Sequence, residues 1–384
     1  MKVYFDNAAS TKVRDEAIDV MVRVMRDNYG NPSSMHDIGR PARTELESAR
    51  KKVADAIDVN PENIYFTSGG TEANNWAILG AVDKLKHKGR HIITSAIEHS
   101  AVLDPVKTLE NDGFEVTYLP PDPAGFISVE SFSSALRDDT VFASIMLVNN
   151  ETGIINPLGD YSAEIKQRGL STVLHTDAIQ GLCKIPFTAK STGADLITVS
   201  SHKLHGPKGA GALYVKEDVK LTPLILGGSQ ENKYRGGTEP LPAAVGFGEA
   251  VRIGCLEFEA TASSVGTLKN YIIQSLKEQV PGVVFIGVCD AMSSPVSPFL
   301  LPISLPGYKS EVLMNYLDGE GICVSKSAAC KKGARSRTLE AMGLNNDVID
   351  GALRVSFSRY NTKEEAEYFI KTLKNATETL LKAM

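Results

Sequence analysis

Between about residue 60 and residue 216 the chain repeats one pattern, in which a short β-rich run ends in a polar turn and a stretch of helical period comes next. The runs are "NIYFTS", "HIITS", "FEVTYL", "VFASIMLV", "STVLHT", "DLITVS" and "GALYVK". Between most of them lie segments such as "TEANNWAILGAVDKLKHK" and "DYSAEIKQRG". Strands that alternate with helices are joined by crossovers, which place the helices on both faces of a mainly parallel sheet. The expected fold class is therefore α/β, with a seven-stranded, mainly parallel sheet in a large domain. After "GFGEAVRIG" the pattern weakens. From about residue 262 a long helix, strand candidates "GVVFIGV" and "FLLPISL", helix "SEVLMNYLDGEG", strand "LRVSFS" and a final helix from "TKEEAEYF" predict a smaller α+β domain. The division expected is 15–255 for the large domain, with 1–14 and 256–384 forming the small one.

At 384 residues with 42% hydrophobic content, the chain can bury a large core. A formal net charge of −5 provides no general field for nucleic acid, so anion binding must be local, and no direct nucleic-acid contact is expected. The N-terminus lacks the apolar stretch of a signal peptide and no run reaches ~18 uninterrupted apolar residues, so a cytoplasmic protein with no membrane contact is expected. Cys183, Cys255, Cys289, Cys323 and Cys330 are too scattered for a disulfide framework, and no C-x-x-C occurs. Buried inert thiols are the ordinary reading of Cys183, Cys255 and Cys289, and Cys323 reads as a packed strand residue.

Ligands of open α/β sheets bind beyond the carboxyl ends of the strands. Five of the strand candidates run directly into "SGGTEANN", "SAIEHS", "NNETG", "DAIQ" and "SHK", turns of small, polar or ionisable residues. Ser68, Gly69, Gly70 and Thr71 open a helix with backbone N–H groups free for an anion, although taken alone Ser68 or Thr71 as a plain N-cap followed by Glu72 is the more ordinary reading. No Walker loop and no G-x-G-x-x-G succeeds a strand, which disfavours nucleotide binding. Asp177 ends a buried strand and needs a partner, unless it only caps a helix over "AIQGL". His99 reads either as a core histidine or as part of the site. Lys203 ends the last parallel strand, and an anion site, a carboxylate and a histidine beside a lysine are what a phosphorylated aromatic aldehyde cofactor would need.

Taken in order and spacing, "FDNAAST", "YGNPSSMH", "TSGGTEANN", "IEHSAV", "VNNETG", "HTDAIQ", "SSHKLHGPKG" and "RGGTEP" resemble the signature stretches of pyridoxal-phosphate-dependent cysteine desulfurases of the nitrogen-fixation and iron–sulfur-cluster type. These belong to the class-V aminotransferases of fold type I. The likeness runs from Tyr4 to the "RVSFSRYNTKEEAEYF" stretch. The resemblance implies pyridoxal 5′-phosphate as cofactor, with Lys203 as its Schiff-base lysine and Asp177 as partner of the ring nitrogen. It implies that Gln180, on the same helical face as Asp177, bonds the ring's phenolic oxygen and that His99 stacks on the ring and exchanges protons with substrate. Gly70, Thr71, Ser200 and His202 would hold the phosphate, with Thr238 reaching across from the second subunit of a homodimer. Asn150 and Arg354 would orient the substrate carboxylate.

Cys330, in "GICVSKSAACKKGARS", matches the family's nucleophilic cysteine, although this loop carries lysines where relatives commonly have small residues. Lys326, Lys331, Lys332, Arg335 and Arg337 form a basic cluster around it that would favour the thiolate, or simply face solvent. The implied reaction converts L-cysteine to L-alanine and leaves the sulfur as a persulfide on Cys330, for delivery to an acceptor protein serving iron–sulfur-cluster or other thiolation pathways. A selenocysteine lyase or another β-lyase is a competing reading, as is a non-catalytic scaffold that binds the cofactor. A metal site on His202 and His205 is not expected, because no carboxylate or thiolate ligand accompanies them.

Overall fold

The computed structural model describes residues 1–287, 295–326 and 335–382. All seven expected strands form, as Ile64–Thr67 (β1), His91–Ser95 (β2), Glu115–Leu119 (β3), Thr140–Ser144 (β4), Val173–Asp177 (β5), Leu196–Ser200 (β6) and Gly211–Val215 (β7). They make one sheet in the order β3-β2-β4-β5-β6-β7-β1. Pairings from β3 through β6 are parallel, whereas β7 runs antiparallel to both of its neighbours. Two antiparallel pairings restore the direction, so β1 points the same way as β6. The carboxyl ends of β1, β2, β4, β5 and β6 thus share one edge of the sheet.

Each residue of β2, β4, β5, β6 and β7 is buried. That is the consequence of covering both faces, and it explains why these strands read as apolar runs rather than as alternating ones. Edge strand β3 is partly exposed. The other edge is closed by charge: Arg50 Nη1 donates to the Ile64 carbonyl at 2.7 Å, and the Phe66 N–H donates to Glu231 at 2.9 Å. Arg50 and Glu231 are themselves joined by two bonds of 2.7 and 2.8 Å, so the free edge of β1 is satisfied without another strand.

A second core surrounds a four-stranded sheet in which Leu300–Ser304 pairs antiparallel with Ala352–Ser356. Phe258–Gln279 and Lys363–Thr379 pack there through residues such as Ile272, Leu276, Phe369 and Leu373. The chain's first residues join both cores. Val3–Tyr4 pairs parallel with Ile322–Cys323, and Val3 and Phe5 are buried in the second core, whereas Ala8 belongs to the first.

Three local expectations change. The run "VFASIMLV" leaves the strand after Ser144, because the Met146 N–H is taken by the Glu98 carboxylate at 2.7 Å instead of by a neighbouring strand. The segment after Asp177 is a series of turns rather than a helix, so Gln180 shares no helical face with Asp177. The long helix of the second core begins at Phe258, almost continuous with Leu241–Leu256.

Candidate active site

At the shared edge, Gly70, Thr71, His99, Asn150, Asp177, Gln180, Ser200, His202, Lys203 and Arg354 line one cleft, a cavity of about 790 Å³. Nine of these ten come from the ends of β1, β2, β4, β5 and β6 or the turns after them, whereas Arg354 arrives from the sheet of the second core. Thr238 is exposed and does not line the cleft of its own chain. Cys330, with Lys331 and Lys332, lies outside the described residues, as does Cys289.

The helix Gly70–Leu85 starts inside the cleft, and its N-cap is Gly69, not Ser68 or Thr71. Gly69 adopts φ +153° with ψ near 180°, a region open essentially to glycine alone. A side chain at Gly70 would place its Cβ 2.1 Å from Ile179 Cδ1. With no side chain at either position, the helix's first N–H groups are open to an anion. Beside them the Ser200 hydroxyl is buried and has no hydrogen-bond partner among the described residues. A buried hydroxyl costs free energy unless something bonds it, and a phosphate oxygen meets that need.

Asp177 is 5% exposed. Its Oδ2 accepts from Asn74 Nδ2 at 2.7 Å and its Oδ1 from the Ile179 N–H at 3.0 Å. Burial pushes the carboxyl up from its ordinary value, while these two donors and the positive charge of Lys203 pull against it. Neutral donors alone do not balance a buried negative charge, and a ring N–H⁺ would. His99 caps the helix Ser100–Asn111, its Nδ1 accepting the Ala101 N–H at 3.1 Å. Burial pulls its pKa down and keeps the imidazole neutral.

Lys203 sits on a tight turn after β6 and donates from Nζ to the carbonyls of Ala8 and Ala9, each at 2.7 Å. Ala8 also accepts from Gln180 Nε2 at 3.0 Å, while Gln180 Oε1 accepts from Lys184 Nζ at 3.1 Å. Lys184 is buried, which together with the charge of Lys203 pushes its amine down to about 7. Lys203 and Gln180 thus meet at the backbone of "FDNAAST". Arg354, 2% exposed, donates to the Asn150 carbonyl at 3.0 Å and pairs with Asp6 at 3.2 Å. Its Nε is buried with no partner among the described residues, which leaves a donor for a carboxylate.

Sequence reasoning overlooked Asn74 and Glu98. Asn74 lies one turn after Gly70 on the same helix, and that spacing was the available signal. Glu98 is buried beside His99, accepts from Ser95 Oγ and the Met146 N–H at 2.7 Å each, and burial raises its carboxyl to about 8. The described members of the basic sequence cluster are engaged by other groups. Lys326 pairs with Glu311 and Arg335 with Asp350, while Arg337 donates to the Glu98 carbonyl and lines the cleft with Arg335.

A 3-2-4-5-6-7-1 sheet with a lysine, a buried aspartate, an open helix N-terminus and a hydroxyl unpaired among the described residues converging at its edge defines a fold-type-I pyridoxal-phosphate enzyme. The residues present fit that cofactor, with Lys203 for its aldehyde, Asp177 for its ring nitrogen, and Ser200 and the Gly70 turn for its phosphate. The model of the aminotransferase class-V family matches residues 3–369, and the chain belongs to that family. It is 40% identical to the cysteine desulfurase IscS of Dictyoglomus turgidum, over 99% of this chain and 95% of that one. It is 39% identical to the cysteine desulfurase IscS of Methanosarcina thermophila, over 98% of this chain and 92% of that one. Among solved structures, a NifS-like protein is similar with a TM-score of 0.92 at 37% identity, covering 99% of this chain and all of the other.

Proposed function

We propose that this enzyme is a cysteine desulfurase that converts L-cysteine to L-alanine and passes the sulfur to Cys330. The observation that carries the reading is the convergence of Lys203, Asp177 and Arg354 on one cleft, the arrangement required to bind an α-amino acid and activate its Cα–H. Full-length likeness to relatives named cysteine desulfurases supports the choice of reaction.

In this reading Arg354, held by Asp6 and the Asn150 carbonyl, fixes the substrate carboxylate and so orients the Cα–H toward Lys203. Bound pyridoxal phosphate supplies an electron-withdrawing ring that acidifies that Cα–H. Asp177 keeps the ring nitrogen protonated, and Asn74 and the Ile179 N–H hold the carboxylate in place for that contact. Lys203 Nζ takes the Cα proton. Neutral His99 is positioned to exchange a proton with the substrate. The Cys330 thiolate forms a bond to the substrate sulfur while the Cβ–S bond breaks. Its electron pair passes to Cβ, which gains a proton and becomes the methyl group of alanine, and Cys330 keeps the sulfur as a persulfide.

Thr238, exposed in one chain and absent from its cleft, completes a phosphate site only by reaching a second copy, so a homodimer belongs to this reading. So do a cytoplasmic location, a separate sulfur-acceptor protein, and service to iron–sulfur-cluster assembly. Among the described residues no helix is long and apolar enough to cross a membrane.

The test is alanine production from L-cysteine by the purified protein, with persulfide mapped by mass spectrometry. Wild type is expected to form alanine and to carry sulfane sulfur on Cys330; Lys203→Ala should lose alanine formation by about 10²-fold or more, the ordinary worth of a positioned base. Turnover of selenocysteine without turnover of cysteine would replace the reading with a selenocysteine lyase. Binding of the cofactor without turnover of either would leave a scaffold.

A further inference from the structure

Cys183 lies in the run of turns that begins after Asp177, in a left-handed conformation with φ +57°. Its Sγ lies 3.6 Å from Cys255 Sγ, in the last turn of the helix Leu241–Leu256. The two backbones are pressed together at this point: a Cβ at Gly254 would stand 3.0 Å from Cys183 Cβ. Sulfur atoms in van der Waals contact need only close to the ~2.05 Å of a disulfide, and the neighbouring backbone leaves no gap to bridge. The ordinary reading of two inert buried thiols does not describe this pair, because Cys255 is exposed and Cys183 is half-buried against it.

The two sulfurs also differ in reactivity. Cys255 is the exposed sulfur, so a dissolved oxidant reaches it first, and its contact with Cys183 also lowers the Cys255 thiol from its usual value. That same contact, with burial, holds Cys183 up, while nearby Arg14 and Lys184 pull it down. Cys183, the more enclosed of the two, is therefore the resolving thiol that acts once Cys255 has reacted.

We propose that Cys183 and Cys255 form a peroxide-reactive dithiol site that closes to a disulfide. The Cys255 thiolate attacks one peroxide oxygen, the O–O bond breaks, and the departing hydroxide takes a proton to become water. Cys255 is then a sulfenic acid. Cys183 sulfur attacks the Cys255 sulfur, the S–S bond forms, and the hydroxyl leaves with the Cys183 proton as a second water. Two thiols are oxidised and one hydrogen peroxide is reduced, with no other reactant. This chemistry is independent of the proposed desulfurase reaction and does not involve Cys330.

Trypsin would place Cys183 alone in the peptide 169–184 and Cys255 alone in 253–269, so a link between them is unambiguous. The holoenzyme is treated with hydrogen peroxide, free thiols are blocked by alkylation, and the digest is read by mass spectrometry without reductant. Expected is a crosslinked pair two hydrogens lighter than the sum of its peptides, separated again by reductant. Cys183→Ser is expected to stop at a sulfenic acid on Cys255, captured by a dimedone-type reagent, and Cys255→Ser to leave Cys183 alkylatable. The proposal is overturned if wild type shows both peptides alkylated and unlinked after peroxide, or if either cysteine is found joined to the Cys330 peptide instead. Because wild type alone decides this, a variant that fails to fold does not protect the idea.

Discussion

Asn74 Nδ2 stands 2.7 Å from Asp177 Oδ2, deep in the cleft. It is one of two donors that hold a carboxylate whose burial otherwise drives it toward protonation. Removing it should weaken the proposed ring-nitrogen contact without touching the lysine. Asn74→Ala is expected to raise the dissociation constant for pyridoxal phosphate by about 10-fold or more, the scale of a hydrogen bond to a charged group. Asn74→Asp, which sets a like charge against Asp177, should be worse than alanine. Titration of the visible absorbance of the cofactor checks both, and unchanged affinity in both variants would remove Asp177 from the assigned role.

Gly70→Ala should damage the turn by collision with Ile179 Cδ1, which lies 2.1 Å from the new Cβ. Overpacking of this kind costs about 1–3 kcal/mol. A lower Tm and weaker cofactor binding are expected. Ile179→Val deletes the colliding methyl, so the double variant should recover part of both losses, measured as a double-mutant cycle. Purely additive effects would show that the clash is relieved elsewhere.

Glu98 makes a pH prediction. Its carboxyl is raised by burial to about 8, above an unfolded value of about 4.5. The folded state therefore binds the proton more tightly, and the stabilisation this provides is fully present below pH about 4.5 and is lost as pH rises toward about 8. Glu98→Gln keeps an acceptor for Ser95 and the Met146 N–H but cannot ionise. Over that window the Tm of wild type should fall more steeply with pH than that of Glu98→Gln, by thermal melts in matched buffers. Parallel curves would mean that Glu98 is already ionised in the fold.

Arg354→Lys preserves charge and removes the planar fork that reaches Asp6 and the Asn150 carbonyl together. If Arg354 holds the substrate carboxylate, KM for L-cysteine should rise about 10-fold to 100-fold, corresponding to ~1.5–3 kcal/mol for a charged hydrogen bond. Initial-rate kinetics would separate this from a fall in kcat alone, which would place Arg354 in the architecture and not on the substrate.

Much of this was legible from local pattern. The seven strands announced themselves because strands buried on both faces must be apolar and short, and the turns after them stood out because apolar strands cannot carry ionisable groups without a reason. Lys203, Asp177 and His99 were found that way, each at or just beyond a strand end. Glu98 escaped because a carboxylate next to a histidine looks like an ordinary polar turn until its neighbours are known. The early end of β4 escaped for the same reason, since the Glu98 carboxylate that takes the Met146 N–H is 48 positions away in sequence.

The amino-acid sequence by itself determined the alternation of strands and helices, the order of strand-end turns and the residue types placed in them, because these depend on neighbours within one or two turns of chain. Only the tertiary structure decided which of those residues meet. Asn74 and Asp177 are 103 positions apart, and Ala8 and Lys203 are 195 apart. The same is true of Cys183 and Cys255, separated by 72 positions yet in sulfur contact. No local propensity encodes such encounters: they arise from how the crossovers stack helices on the sheet and bring the N-terminal segment and the second core against its carboxyl edge.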